Sequence, residues 1–252
     1  VELARGIMSR LRSTVNFLLD IDGTLVFSDS IYFRVFQHLL KPLGYDVDEP
    51  FYKDNVHGKV DADVFRKLMP GASPEELNAM SKKKDDTFCE LYREEAAKHG
   101  PPMLKGLPEA LAFAHQQNVR CIAVTNAPRG AAETTLESLR NAIPEASVIE
   151  GLVIGAECTR AKPHPDPYVE GARQLGVALS DCIVFEDSRS GIQSGIAAGV
   201  PVIGMRTSLS DEELRGVGCV ATLADWTGLT VDMIDEVVTK AAGGITSPAA
   251  PA

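Results

Sequence analysis

Apolar residues in this chain follow two rhythms. Short apolar runs, FLLDI at 17–21, CIAVT at 121–125, CIVFE at 182–186 and PVIGM at 201–205, are each bounded by turn or charge signals and predict buried strands. Between the last three, apolar positions recur at helical spacing, which gives the strand-helix-strand alternation of a parallel, doubly wound sheet. After the first strand the rhythm changes. From about Ser30 to Pro102 there are only helical patterns: SIYFRVFQHLLKPLG, then VFRKLM, then a long polar stretch from Pro74 to His99. The expected fold is therefore α/β, with a discontinuous core at 1–29 and 103–242 and an inserted all-helical domain at 30–102. Hinges are expected near Val26 to Ser30 and Gly100 to Gly106, and no internal repeat is visible.

The chain ends change this picture little. Leu3, Ile7 and Leu11 stand at helical spacing among Arg5, Arg10 and Arg12, as in a short amphipathic helix or the remnant of a transit peptide. The small-residue tail at 243–252 is too poor in apolar surface to order itself and is expected to be flexible. A cytoplasmic location is expected, or a chloroplast one if a transit peptide has been removed.

Composition sets bounds. At 252 residues and 44% hydrophobic, the chain can bury one sizeable core and a smaller companion. Lacking a charge-free apolar run of membrane-spanning length, it is expected to be soluble, with no membrane partner. A net charge of -10 argues against nucleic acid, whose phosphate backbone needs a basic footprint, so any anionic ligand must find local positive charge. Five scattered cysteines without a CxxC suggest neither a zinc site nor a disulfide framework, and read as reduced core thiols.

Candidate chemistry lies at the ends of the predicted strands, where parallel sheets bind their ligands. In FLLDIDGTLV, Asp20 and Asp22 are two apart on an extended segment and project to the same side, and Gly23 lets the backbone turn sharply beneath a ligand. Two carboxylates this close persist only if a cation such as Mg²⁺ or a shared proton compensates, so the pair implies a metal, an acid/base couple, or both. The plainer reading is an Asx turn with a solvated second aspartate. Past the second strand, Thr125 and Asn126 offer a hydroxyl, an amide and backbone N–H groups to a phosphate oxygen, although Thr-Asn also suits a helix cap. Glu186 and Asp187 form a second acidic pair at a buried strand end, where unpaired charge is disfavoured. Lys162 in AKPHPDPY is held by prolines as a fixed cation; alone, it would be an ordinary surface lysine. Together, four carboxylates, a lysine and a Thr-Asn pair at one end of one sheet are hard to explain as solvation.

The set DIDGTL, VTNA, AKPHPDPY and FEDSRSGIQSGIAAGVPVIGM, in this order, resembles the four motifs of the haloacid dehalogenase-like superfamily, in its magnesium-dependent phosphatase and phosphomutase branch with a helical cap. The resemblance runs from about residue 16 to 240. It points most narrowly to sugar phosphatases, phosphoglycolate phosphatases and β-phosphoglucomutases, with the VTNAP form closest to plant and microbial sugar phosphatases. It implies a Rossmann-like core and an Mg²⁺-dependent hydrolysis of a small phosphate monoester. Asp20 would be the nucleophile forming an aspartyl-phosphate, and Asp22 the acid and then the base. Mg²⁺ would be held by Asp20, Asp187, the Asp22 backbone carbonyl and Glu186, the last directly or through water. Thr125, Asn126, Gly23 and Lys162 would complete the phosphate site.

The same resemblance makes the helical insert a cap that closes over the site and contacts the leaving group. Its candidates are His57, Lys59 and Lys84, the last at the place of a substrate-facing lysine, while Asp61 stands where relatives often carry arginine. Lys82 and Lys83 are expected on a solvated helix face, and His38, His99 and His115 match no motif. A phosphomutase would use the same aspartates, but mutase relatives commonly carry histidine where this chain has Tyr32, and Phe27 replaces a frequent aspartate. A non-catalytic binding module is disfavoured because no nucleophile or metal ligand is missing. Sugar phosphate is the expected substrate, phosphoglycolate the alternative, and the assembly is expected to be a monomer or homodimer.

Overall fold

The computed structural model describes residues 11, 14–56, 59 and 61–242. The expected N-terminal helix, apart from Leu11, the tail, and His57 and Gly58 of the predicted cap loop lie outside the described residues.

Six parallel strands form one sheet: β1 Asn16–Leu19, β2 Cys121–Thr125, β3 Ile149–Ile154, β4 Cys182–Glu186, β5 Val202–Met205 and β6 Ala221–Leu223, in spatial order β3-β2-β1-β4-β5-β6. This is the doubly wound order, with the topological switch between β1 and β4. The four predicted strands are all present and buried along their length. β3 and β6 escaped the pattern because they are the edges: β3 carries Glu150 and Gly151 and a register shift against β2, and β6 is three residues long. The first strand also ends earlier than its apolar run. Beyond Leu19 the chain enters a tight turn in which Thr24, Leu25 and Val26 all donate their N–H to the Ile21 carbonyl, so the strand gives way to a turn after a last backbone hydrogen bond from Asp20 to β4.

Helices α5 (Leu107–Gln116), α7 (Asp166–Leu175), α8 (Arg189–Ala197), α9 (Asp211–Val217) and α10 (Val231–Ala242) belong with the sheet. In α8 the sequence is small for steric reasons. A Cβ on Gly195 would stand 2.7 Å from Val202 Cγ2, and one on Gly191 would overlap the Glu186 carboxylate. Trp226, 1% exposed, donates its indole N–H to the Thr24 carbonyl at 2.8 Å and packs on Phe185, pinning the turn after β1 from behind.

The remaining described helices form a second compact unit over Ser28–Pro102 and Pro128–Ala142: α1 Asp29–Leu40, α2 Glu49–Asn55, α3 Asp61–Leu68, α4 Pro74–His99 and α6 Arg129–Ala142. The long polar stretch is one helix of 26 residues, started by a Ser73/Glu76 capping box. α6 lies in a stretch expected to belong to the α/β core, but it packs along α4, where Arg93 donates to Thr134 Oγ1 at 3.0 Å, and Ala131 enters this unit's aromatic-rich core. No helix among the described residues is long and apolar enough to cross a membrane, and all five cysteines are free.

Candidate active site

Register brings the acidic strand ends together. Leu19 of β1 pairs with Phe185 of β4, and Asp20 N–H donates to the Phe185 carbonyl at 3.0 Å, so Asp20 and Glu186 emerge side by side at the switch point. Ligand oxygens of Asp20, Glu186 and Asp187 all lie within 4.8 Å of one another. All three residues are buried, at 7%, 0% and 5% exposure.

Lys162 joins them from the loop before α7. Its Nζ donates to Asp20 Oδ1 at 2.8 Å, Glu186 Oε1 at 2.7 Å and the Val124 carbonyl at 2.7 Å, which engages all three of its N–H groups. The loop is fixed by Asn126, whose amide accepts from Lys162 N–H at 3.2 Å and donates to the Lys162 carbonyl at 3.1 Å. Asn126, expected as a phosphate donor, therefore holds the main chain of the lysine. Thr125, also expected there, is 2% exposed and its hydroxyl accepts from Ala127 N–H at 2.9 Å.

Glu186 is saturated. Oε1 accepts from Lys162 and from Tyr168 O–H at 2.9 Å; Oε2 accepts from the N–H groups of Asp187 and Ser188 and from Ser188 Oγ, each at 3.0 Å. Tyr168 also lies beneath the ammonium, with Lys162 Nζ 4.9 Å from its ring centre. This tyrosine ends the KPHPDPY segment, and nothing in that segment alone gives it a role. Its signal was the six-residue offset from Lys162, which spans the loop and the first turn of α7 and so returns the ring to the lysine.

Asp187 is held from a loop that no motif marked. Beyond β5, Ser208 Oγ donates to Asp187 Oδ2, and Thr207 Oγ1 lies 3.2 Å from the same oxygen and 2.6 Å from the Gly23 carbonyl. Gly23 has φ +78°, and a Cβ there would stand 2.0 Å from Asp187 Oδ2. This position thus requires glycine twice, for its backbone angle and for the carboxylate pressed against it. Asp22, half-buried, sits in the same turn.

Charge in this cluster does not balance. With all three buried carboxylates (Asp20, Glu186, Asp187) ionised, the one ammonium (Lys162) leaves a net -2. Burial, then the Glu186 charge, hold the Asp20 carboxyl well above the usual carboxylate range, with Lys162 offsetting only part. Burial and Glu186 likewise push Asp187 up to about 7 against donation from Ser208 and Thr207. Burial alone would lower the Lys162 ammonium, but Asp20 and Glu186 outweigh it and raise it. A deficit of two charges among hard oxygen donors fits one divalent cation.

In the helical unit Lys84 is 4% exposed and contacts two carboxylates, Asp61 Oδ2 at 2.5 Å and Asp85 Oδ1 at 2.9 Å, while its Nζ lies 5.6 Å from the Tyr32 ring centre. Burial opposes the ammonium form of Lys84, but Asp61 and Asp85 outweigh it. Lys59 is exposed and donates to the Asp54 carbonyl. Lys82 and Lys83 lie on the solvated face, as expected.

The sequence profile of the haloacid dehalogenase-like hydrolases matches residues 17–205. Hexitol phosphatase A of Escherichia coli is 30% identical over 81% of this chain and 88% of its own length. The phosphorylated carbohydrates phosphatase of Thermotoga maritima is 27% identical over 81% of this chain and 91% of its own. Among solved structures, a haloacid dehalogenase hydrolase of family IA, variant 3, from Entamoeba histolytica shares the fold with a TM-score of 0.76 at 21% identity, over 89% of this chain and 99% of that one.

Proposed function

The chain belongs to the haloacid dehalogenase-like hydrolases, and from that premise we propose that it is a phosphatase for small phosphate monoesters, sugar phosphates above all, with Asp20 as nucleophile and Mg²⁺ as its cation. The observation that carries this reading is the Asp20 carboxylate itself: Oδ1 is held by Lys162 and Oδ2 accepts no hydrogen bond among the described residues. One oxygen is oriented, and the other is open to attack.

In the proposed reaction Asp20 Oδ2 attacks phosphorus, forming an acyl-phosphate as the bond to the ester oxygen breaks. Asp22 gives its proton to the departing alkoxide, then takes one from the water that attacks the same phosphorus and releases inorganic phosphate and free Asp20. Lys162 keeps positive charge beside the reacting carboxylate, and Glu186 with Tyr168 fixes its position. Asp20 and Asp187 would hold the cation, with the Asp22 backbone carbonyl. The cation would supply the missing charge at the transferring phosphoryl group. Glu186, occupied on both oxygens by five donors, would act on it only from a distance.

We further propose that the helical unit serves as the cap and selects the leaving group. The names of the two phosphatase relatives support a phosphorylated carbohydrate. So does Lys84, whose charge is already met by Asp61 and Asp85. Such a cluster suits hydroxyl groups better than the carboxylate of phosphoglycolate. Tyr32 supports hydrolysis over phosphoryl return to substrate: its ring stacks on Phe88 at 4.4 Å as a packing residue. The test is a panel of hexose, pentose and polyol phosphates, glycerol phosphate and phosphoglycolate, assayed for phosphate release with Mg²⁺ and ranked by kcat/KM. A sugar or polyol phosphate should lead; phosphoglycolate at the head of the ranking would overturn the substrate assignment.

A further inference from the structure

Asp20, Glu186 and Asp187 share a property that the reaction does not demand: each has at most one open oxygen. Asp20 Oδ1 is taken by Lys162, and both oxygens of Glu186 are taken by five donors. Asp187 Oδ2 is taken by Ser208 Oγ and approached at 3.2 Å by Thr207 Oγ1, while its Oδ1 accepts no hydrogen bond among the described residues. Asp187 Oδ2 is also backed by Gly23, whose missing Cβ would stand 2.0 Å away.

We propose that Thr207 and Ser208, in the loop after β5, are positioning residues that restrict Asp187 to a single ligand oxygen and thereby select Mg²⁺ over Ca²⁺. The inference rests on the cation site proposed above and adds residues and a selectivity that the site's motifs do not contain. Its chemistry is a matter of coordination number. Mg²⁺ takes six ligands in a tight octahedron and binds carboxylates through one oxygen, whereas Ca²⁺ takes six to eight and often uses both oxygens of a carboxylate. A carboxylate whose second oxygen is capped by a hydroxyl cannot chelate without losing that hydrogen bond.

The two hydroxyls divide the task. A hydroxyl has one proton, and the shorter contact of Thr207 is the 2.6 Å one to the Gly23 carbonyl. Ser208 is therefore the principal donor to Oδ2. Thr207 ties the turn that carries Asp22 and Gly23 to the same loop, which keeps Gly23 against the carboxylate. Removing both should free Oδ2 to swing toward a larger cation.

The experiment is calorimetric titration of the metal-free full chain with Mg²⁺ and with Ca²⁺, for wild type, Ser208→Ala, the Thr207→Ala/Ser208→Ala double variant, and Ser208→Thr, with circular dichroism as a check on folding. The ratio Kd(Ca²⁺)/Kd(Mg²⁺) should fall about tenfold in the double variant, the lower end of effects from residues that orient ligands. Ser208→Ala should fall part of the way, and Ser208→Thr, which keeps the hydroxyl, should hold the wild-type ratio. A general loosening of the loop would weaken both cations together and leave the ratio unchanged. A ratio within twofold of wild type in the double variant overturns the inference, provided Asp187→Asn abolishes binding. Binding that survives Asp187→Asn overturns the cation site itself, and the inference with it.

Discussion

Lys162 and Lys84 are built alike and placed in different electrostatic company. Each is nearly inaccessible, each contacts two carboxylates, and each lies near a tyrosine ring. The partners of Lys162 are themselves buried, with side chains 10% and 1% exposed, and a third buried carboxylate, Asp187, sits beside them. The partners of Lys84 are 34% and 29% exposed and make no such surplus. A buried lysine with two acidic partners is thus no sign of catalysis by itself. What separates the two is uncompensated charge and open oxygens: in the α/β unit the net -2 calls for a further cation, and in the helical unit two half-solvated carboxylates already hold the one ammonium.

The largest effect expected from breaking this comparison is at the nucleophile. Asp20→Asn keeps the shape and loses the nucleophilic oxygen, so kcat on any accepted monoester should fall more than about 10³-fold while the circular dichroism spectrum is unchanged. Chelation with EDTA should silence the enzyme almost as fully, with Mg²⁺ restoring it; full turnover in chelator would remove the reading of the charge deficit.

Stability should sharpen the contrast. Lys162→Met leaves buried carboxylates unpaired and should cost about 3–5 kcal/mol in urea unfolding of the metal-free protein. Lys84→Met should cost about 1–3 kcal/mol, because its partners can turn to water. Equal losses would show that the burial of the partners does not matter. In activity, Lys84→Ala should lose about 1–3 kcal/mol in kcat/KM on the preferred sugar phosphate and little on an aryl phosphate. An equal loss on both substrates would make Lys84 a packing residue only.

The smallest effect is in pH. The Asp187 carboxyl stands at about 7 in the metal-free fold against 3.8 as an ordinary aspartate, so between those values the native state binds more protons than the unfolded one. Its contribution to stability therefore falls as pH rises through that window. A cation needs the carboxylate form and binds better once it is made. Saturating Mg²⁺ should hence raise Tm by more at pH 8 than at pH 5.5, and the reverse order would contradict the assignment of Asp187.

Much of this was legible along the chain. Asp20, Asp22, Glu186, Asp187 and Lys162 were found because buried strands have a short-range apolar signature, and because charged residues at their ends stand out against it. The helical insert was legible for the same reason, as a change of period. Edge strands β3 and β6 were not, since an edge needs less apolar character and so carries less signal. Tyr168, Thr207 and Ser208 were not, since a tyrosine in a loop motif and hydroxyls in a turn look ordinary until their partners are known.

The sequence by itself determined which chemical groups gather at one end of one sheet, because strand period, turn glycines and parallel winding are local or nearly local properties of the chain. Only the tertiary structure decided what those groups are free to do. Asn126 is turned to the backbone of Lys162, Glu186 is saturated, Asp187 shows one oxygen, and Lys84 is neutralised by Asp61 and Asp85. The reason is physical: a hydrogen bond has direction and a limited number of donors. Which oxygen stays open depends on partners such as Lys162, 142 residues from Asp20 along the chain, and Ser208, 21 residues from Asp187. No pattern read within a single segment carries that information.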